Sequence, residues 1–377
     1  MQNKERLLLP LFLMVINTVM PLVAQEKPQF KIGGTLRFNY SYSDWKPESR
    51  KHGGEFSYDV LRINLDAAYK KFLLEADYRF YSSESGGGML KSGWIGYKFN
   101  DTHQLQFGLT TVPFGIMPYT GNNYFFNVNF YVGLEDDADM GIKYLFRKDG
   151  WGIDLAYFHN AELSNFGKNS EVSPERYAYD IAGRNKEVCQ GNIRMAYNFG
   201  NIWKQQVGLS ALLGSMYNMD TRRNGVRYAF ALHYTVNYKH WNFNIQYANY
   251  KIYPKCPTKE EESTVVMAAY GSSYSIVSKA DIYTTSLSYT IPIGHKFLET
   301  ICLYNDFSLL HKRIANFNDS YQNVSGCSLK MGKVFTCIDY AVGKNHAWFG
   351  DIWDDAFAKG NANRKGRRFN INIGYYF

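Results

Sequence analysis

Six cationic side chains stand out by the company they keep. Arg37, Arg62, Arg79, Lys143, Arg194 and Arg227 each sit between two apolar or aromatic neighbours, in stretches that alternate with a period of two. Such alternation gives a strand one apolar face and one wet face. The wet face also carries Asn39, Asp66, Glu75, Asp77, Asn244 and Gln246. Guanidinium and ammonium groups spaced along a water-filled wall attract anions and donate hydrogen bonds to them. They break no bonds. No nucleophile–base pairing is visible, His233 reads as one more residue of the wet face, and no catalysis is expected. The five cysteines, Cys189, Cys256, Cys302, Cys327 and Cys337, are odd in number and lack metal or redox spacing. No metal site and no cofactor is expected.

The elements that hold these residues read as strands throughout. In the last one, Phe369, Ile371, Ile373, Tyr375 and Phe377 share one face, and Asn370, Asn372 and Gly374 the other. A two-residue turn at Lys70 and Lys71 pairs Tyr69 with Phe72, Leu65 with Ala76 and Leu61 with Phe80, so every apolar residue falls on one side. A turn at Lys239 and His240 pairs Tyr238 with Trp241, Val236 with Phe243, Tyr234 with Ile245 and Leu232 with Tyr247. One at Gly332 and Lys333 pairs Met331 with Val334, with glycine placed for a type II′ hairpin. That register sends Cys327 outward and Cys337 inward, which argues against a disulfide between them.

About sixteen strands follow along the chain, with connections that alternate short and long. A soluble sandwich has no reason to sort its loops by length. Tyr69, Phe72, Trp151, Trp203, Trp241 and Phe377 gather at the short-turn ends, as an aromatic girdle at a membrane interface would. The expected fold is therefore all-β: a transmembrane antiparallel β-barrel of about sixteen strands, with long extracellular loops and short periplasmic turns. Lys4 and Arg6, the mostly apolar run 7–23 and Ala24 have the layout of a signal peptide over residues 1–24, with the barrel over 25–377. The net charge of +8 is spread out, and no dense basic block suggests nucleic acid.

The connection over residues 111–139 is the most informative. It opens with Val112, Pro113, Phe114 and Gly115 and closes with the acidic run Glu135, Asp136, Asp137, Ala138 and Asp139. Its Gly and Pro residues suit an irregular path along an inner wall, so it is expected to fold inward as a constriction loop. These pieces, with Ser278 to Tyr283 and Gly343 to His346, resemble the phosphate-selective porin O and P family over nearly all of the exported length. The resemblance implies a trimeric sixteen-strand anion pore, arginines along the path, and basic residues contributed by the third loop. This sequence departs from that pattern. Residues 111–139 hold no Lys or Arg and four carboxylates, which are expected to fold back onto wall arginines such as Arg62 or Arg79.

The expected function is passive diffusion of small hydrophilic solutes across the outer membrane of a Gram-negative cell, with a modest preference for anions and possibly phosphate among them. The alternative is a barrel partner or adhesin of an uptake complex, acting through its long loops. Small anions, outer-membrane lipid and lipopolysaccharide, and the barrel-assembly machinery are the expected partners. Arg364, Lys365, Arg367 and Arg368 stand at the outer end of the last strand, either as an anion-collecting vestibule or as a contact for lipid phosphates.

Overall fold

The protein's structure, a computed structural model, describes residues 27–162 and 176–377. The signal-peptide assignment for residues 1–24 lies outside the described residues. Nineteen strands follow in chain order. They are β1 (Gln29–Ser43), β2 (Glu55–Tyr69), β3 (Phe72–Phe80), β4 (Gly88–Lys98), β5 (His103–Thr111), β6 (Ala138–Lys148), β7 (Trp151–Asn160), β8 (Asp180–Ile181), β9 (Asn185–Phe199) and β10 (Lys204–Asn218). Then come β11 (Arg223–Tyr238), β12 (Trp241–Tyr253), β13 (Thr264–Ala269), β14 (Ser272–Val277), β15 (Lys279–Pro292), β16 (Thr300–Lys312), β17 (Ser320–Met331), β18 (Val334–Lys344) and β19 (Gly366–Tyr376). All but β8, β13 and β14 join one closed antiparallel barrel, which makes sixteen staves.

The hairpin registers follow from side-chain alternation. Tyr69 pairs with Phe72 and Leu61 with Phe80; Tyr238 pairs with Trp241 and Tyr234 with Ile245; Met331 pairs with Val334. Lys70, Lys239 and Gly332 take positive φ of 54°, 52° and 60°, as tight hairpins with the right twist require. Closure is made by β19 against β1, where Leu36 pairs with Tyr375. Past the last strand, Phe377 exchanges two backbone hydrogen bonds with Gly34. The Phe377 ring lies where a Cβ on Gly34 would stand, at 2.6 Å, so only glycine admits it there.

The outward face is apolar. Leu36, Ile63, Leu209, Leu232, Ile245, Leu287 and Ile373 all stand exposed on it. At the short-turn end, rings pair across strands: Trp203 stacks on Tyr238 at 4.1 Å, and Trp241 meets Tyr289 at 4.6 Å. A closed barrel with no free edge, greasy outside and polar within, is built to cross a bilayer.

The long-loop end departs from the expected wet lumen. The connection between β12 and β15 is a hairpin, β13–β14, that forms a small sheet with β8. This sheet and residues 347–357 pack an apolar core with inward residues of one sector of the barrel, including Leu212, Met216, Ile252, Ile282 and Leu310. Strand alternation marks those positions as inward, but their apolar character only makes sense with a lid of matching Val265, Met267, Ile276 and Phe357 upon them. The outer half of the lumen over β10–β16 is therefore packed, and the free space lies to one side.

Candidate functional site

The segment between β5 and β6 lies inside the barrel and crosses it. Its base is closed by the Val112 N–H donating to the Asp137 carbonyl at 2.9 Å. It then runs along the inner wall, and each step is a hydrogen bond. Gly115 N donates to Ser210 Oγ on β10, and Ile116 N to Gln246 Oε1 on β12. Asn122 N and Asn123 N both donate to Asp306 on β16, at 2.7 and 2.9 Å. Tyr124 N donates to Asp339 on β18, and the Tyr124 hydroxyl to Asp59 on β2. A one-turn helix, Val128–Tyr131, is capped by Asn127 and carries the chain back. Gly115 holds φ +60°, and a Cβ there would run into the Gln246 amide, so the close approach needs glycine.

The four carboxylates at the end of this loop do not reach Arg62 or Arg79, against expectation. Those arginines take Asp77, at 3.1 and 3.2 Å. Asp77 shares their face two residues from Arg79, so it is the nearer partner. Asp136 pairs with Lys91 on β4 at 2.6 Å. Glu135 accepts from Thr120 Oγ1 and Asn127 Nδ2, both at 2.6 Å, within its own loop. Burial pushes the Glu135 carboxyl up to about 7, and these hydrogen bonds only partly offset it. Asp137 and Asp139 find no cation of their own in the loop.

The six sequence-marked cations all project inward but separate into two groups. Lys143, Arg194 and Arg227 are buried behind the loop. Lys143 Nζ donates to the Thr111 carbonyl at 2.8 Å, and Arg194 Nε to the Gly115 carbonyl at 2.7 Å. Arg227 engages Glu187 and Gln190. These three hold backbone and carboxylates in place.

Arg37, Arg62 and Arg79 instead stand together on β1, β2 and β3, and face a cavity of about 710 Å³. The cavity runs from Phe335 and Tyr376 near the short-turn end to Glu84, Tyr179 and Trp348 among the outer loops. Arg368 of β19 completes the row. Its place was open to the sequence, because Asn370 and Asn372 share its parity. Arg367 points outward, so the basic cluster at this strand end divides between the two faces. The opposite wall of the cavity is aromatic, with Tyr119, Tyr124, Phe125 and Tyr177. The Arg368 guanidinium lies 5.2 Å from the Phe125 ring centre, and that of Arg79 lies 4.3 Å from Tyr177. Four arginines and two carboxylates, Asp59 and Glu84, line the space. Arg37 is paired with Asp59 at 2.9 Å.

The sixteen-strand closed barrel with a loop folded through its lumen is the fold of outer-membrane porins. The chain is similar to the outer-membrane channel DcaP of Acinetobacter baumannii, with a TM-score of 0.59 at 11% identity over 94% of this chain and 99% of that one. It is similar to an anion-selective porin from Comamonas acidovorans, with a TM-score of 0.58 at 12% identity over 93% of this chain and 100% of that one. It is also similar to a loop L8 deletion mutant of OmpT, an outer membrane protein of Vibrio cholerae, with a TM-score of 0.58 at 13% identity over 93% and 100%. No protein-family model and no curated protein sequence matches the chain.

Proposed function

We propose that the protein is a porin of a Gram-negative outer membrane, passing small hydrophilic solutes with a modest preference for anions. The observation that carries this reading is the eccentric cavity. It is bounded by Arg37, Arg62, Arg79 and Arg368 on the wall and by the inward loop opposite, and its lining charge is formally positive. The inward loop acts as the constriction, and the three wall arginines foreseen from sequence line the path. Lys143, Arg194 and Arg227 anchor that loop. Phosphate selectivity, the finer property of the family the sequence resembles, asks for a dense track of free guanidiniums to replace a hydration shell. Here Arg37 is engaged by Asp59, and Arg62 and Arg79 by Asp77. A phosphate would meet too few free donors.

The test is reconstitution in a planar bilayer. Stepwise conductance is expected, with a reversal potential in a KCl gradient on the anion side and no block by micromolar phosphate. Strong cation selectivity would overturn the reading. A barrel that inserts but gives no current would favour the alternative, a loop-mediated partner of an uptake complex.

A further inference from the structure

At the point where the inward loop rejoins the wall, two carboxylates close together in sequence meet a third from a distant part of the chain. Asp137 ends the loop, Asp139 is the second residue of β6, and Asp180 belongs to the small outer sheet. Each brings an oxygen within 4.8 Å of the other two. All three residues are buried, with Asp137 3% and Asp139 1% exposed. Neither carboxylate oxygen of Asp137 has a hydrogen-bond partner, and Asp139 Oδ1 has none. Two other oxygens are in use. Asp139 Oδ2 accepts from Gln190 Nε2 at 3.4 Å, and Asp180 Oδ2 pairs with Arg176 at 3.3 Å.

Among the described residues, the charged groups that act most strongly on this cluster are Glu162 after β7, Arg176 before β8, Glu187 on β9 and Arg227 on β11. Glu187 is already held by Arg227 and by the Ile181 N–H. Five carboxylates against two guanidiniums leave a formal charge of −3 in a buried space. Burying like charges without compensation is costly. Protons shared between neighbouring carboxylates are one way to supply it, because the three groups lie within reach of one another. A hard cation is the other, and it also gives both unpartnered oxygens of Asp137 a positive charge to bind. Oxygens this close can all reach a calcium ion at ~2.3–2.6 Å with slight adjustment, whereas magnesium demands ~2.0–2.1 Å and a strict octahedron.

We propose that Asp137, Asp139 and Asp180 form a calcium site that ties the base of the inward loop to the wall and to the outer sheet. No metal is expected here from the sequence, because two of the ligands lie two residues apart in the chain but the third is brought in only by the fold. With the cation in place the loop's return strand is fixed, so the free width beside the arginine row is fixed too.

The experiment uses the full-length protein in detergent, stripped with EGTA. CaCl2 is titrated while the unfolding midpoint is followed, and Tb3+ luminescence, sensitised by the nearby tyrosines, reports occupancy. One saturable site per chain is expected, with calcium displacing Tb3+, magnesium acting only at higher concentration, and the midpoint rising with calcium. Asp137→Asn with Asp139→Asn should weaken Tb3+ binding by about 10–100-fold or more and abolish the calcium response. Proton compensation predicts no calcium effect on the wild type and a double variant about as stable as the wild type in EGTA, since a protonated pair has no repulsion to relieve. A wild type without saturable calcium dependence, or a variant with an undiminished one, overturns the proposal. If the double variant does not fold, Asp137→Asn alone is read in the same assay, and the wild-type titration decides without it.

Discussion

Replacing Arg62 and Arg368 together by glutamine is the sharpest test of the arginine row. The lining carries four arginines and two carboxylates, a formal +2, and the double change brings it to zero. These two are chosen because removing them strands little. Asp77 keeps Arg79 when Arg62 is lost, and the Arg368 Nε has no hydrogen-bond partner to leave behind. A unit charge ~7 Å from a permeating ion in a water-like medium contributes ~0.6 kcal/mol. Salt at 0.1 M, with a Debye length of ~10 Å, reduces that by about half. Two net charges then favour an anion by ~0.6 kcal/mol and disfavour a cation equally, a difference of ~1.2 kcal/mol, or about sevenfold in permeability ratio. The variant should fall to a ratio near one. Reversal potentials in a KCl gradient read this directly, and the wild-type ratio should shrink towards one at about 1 M salt, where screening acts within ~3 Å. A variant that inserts normally and keeps the wild-type ratio would show that ions do not pass along this wall.

Charged residues at Leu232 or Ile245, both exposed on the outer face, should cost roughly 2–4 kcal/mol in refolding titrations if they lie near mid-membrane; an effect below about 0.5 kcal/mol would place them outside the bilayer. Gly115→Val should unseat the loop from Gln246 and raise single-channel conductance, whereas unchanged conductance would mean the loop does not set the narrowest point. Burial raises the Glu135 carboxyl from its ordinary 4.5 to about 7, so the folded loop holds a proton that the unfolded chain releases. Loop docking is then strongest below pH 4.5 and weakens as pH rises through about 7; current noise should grow over that interval in the wild type and stay flat in Glu135→Gln.

Where a property depends on alternation alone, the sequence carries it. Strand number, the three hairpin registers and the inward direction of the six cations all follow from a period of two and from turn chemistry at Lys70, Lys239 and Gly332. Alternation gives the side of the wall and says nothing of depth or partner. Arg62 and Arg79 were assigned to the loop carboxylates, yet Asp77, on the same face of β3, is closer than anything a loop could bring. The apolar lid escaped notice for a related reason. Residues 264–277 alternate too weakly to separate a strand from a loop in a stretch this long, and the apolar character of inward Leu212 and Ile282 makes sense only once Ile276 and Phe357 pack near them.

The eccentric position of the cavity has a physical cause in the same residues. From 112 to 134 the inward loop carries no charged side chain. Its backbone N–H groups need acceptors, but it has no counter-charge to offer. The sector of wall from β10 to β16 presents Ser210, Gln246, Thr284, Ser286 and Ser308, whose amides and hydroxyls can bond a neutral loop, together with the Asp306 carboxylate, which accepts from its N–H groups. Asn129 and Asn122 use Thr284 and Ser286 in this way, and Val128 N uses Ser308. The sector of β1 to β3 presents Arg37, Asp59, Arg62, Asp77 and Arg79. Seating a neutral loop there would strip the remaining water from Arg37 and Arg62 and return few hydrogen bonds, at several kcal/mol per ion. The loop therefore lies against the mostly uncharged sector, where its N–H groups also use the Asp306 carboxylate, and meets the charged sector of β1 to β3 at its tip, where the Tyr124 hydroxyl reaches Asp59. Arg37 and Arg62 stay beside open space because the loop has nothing with which to cover them, while Arg79 is covered by the Tyr177 ring.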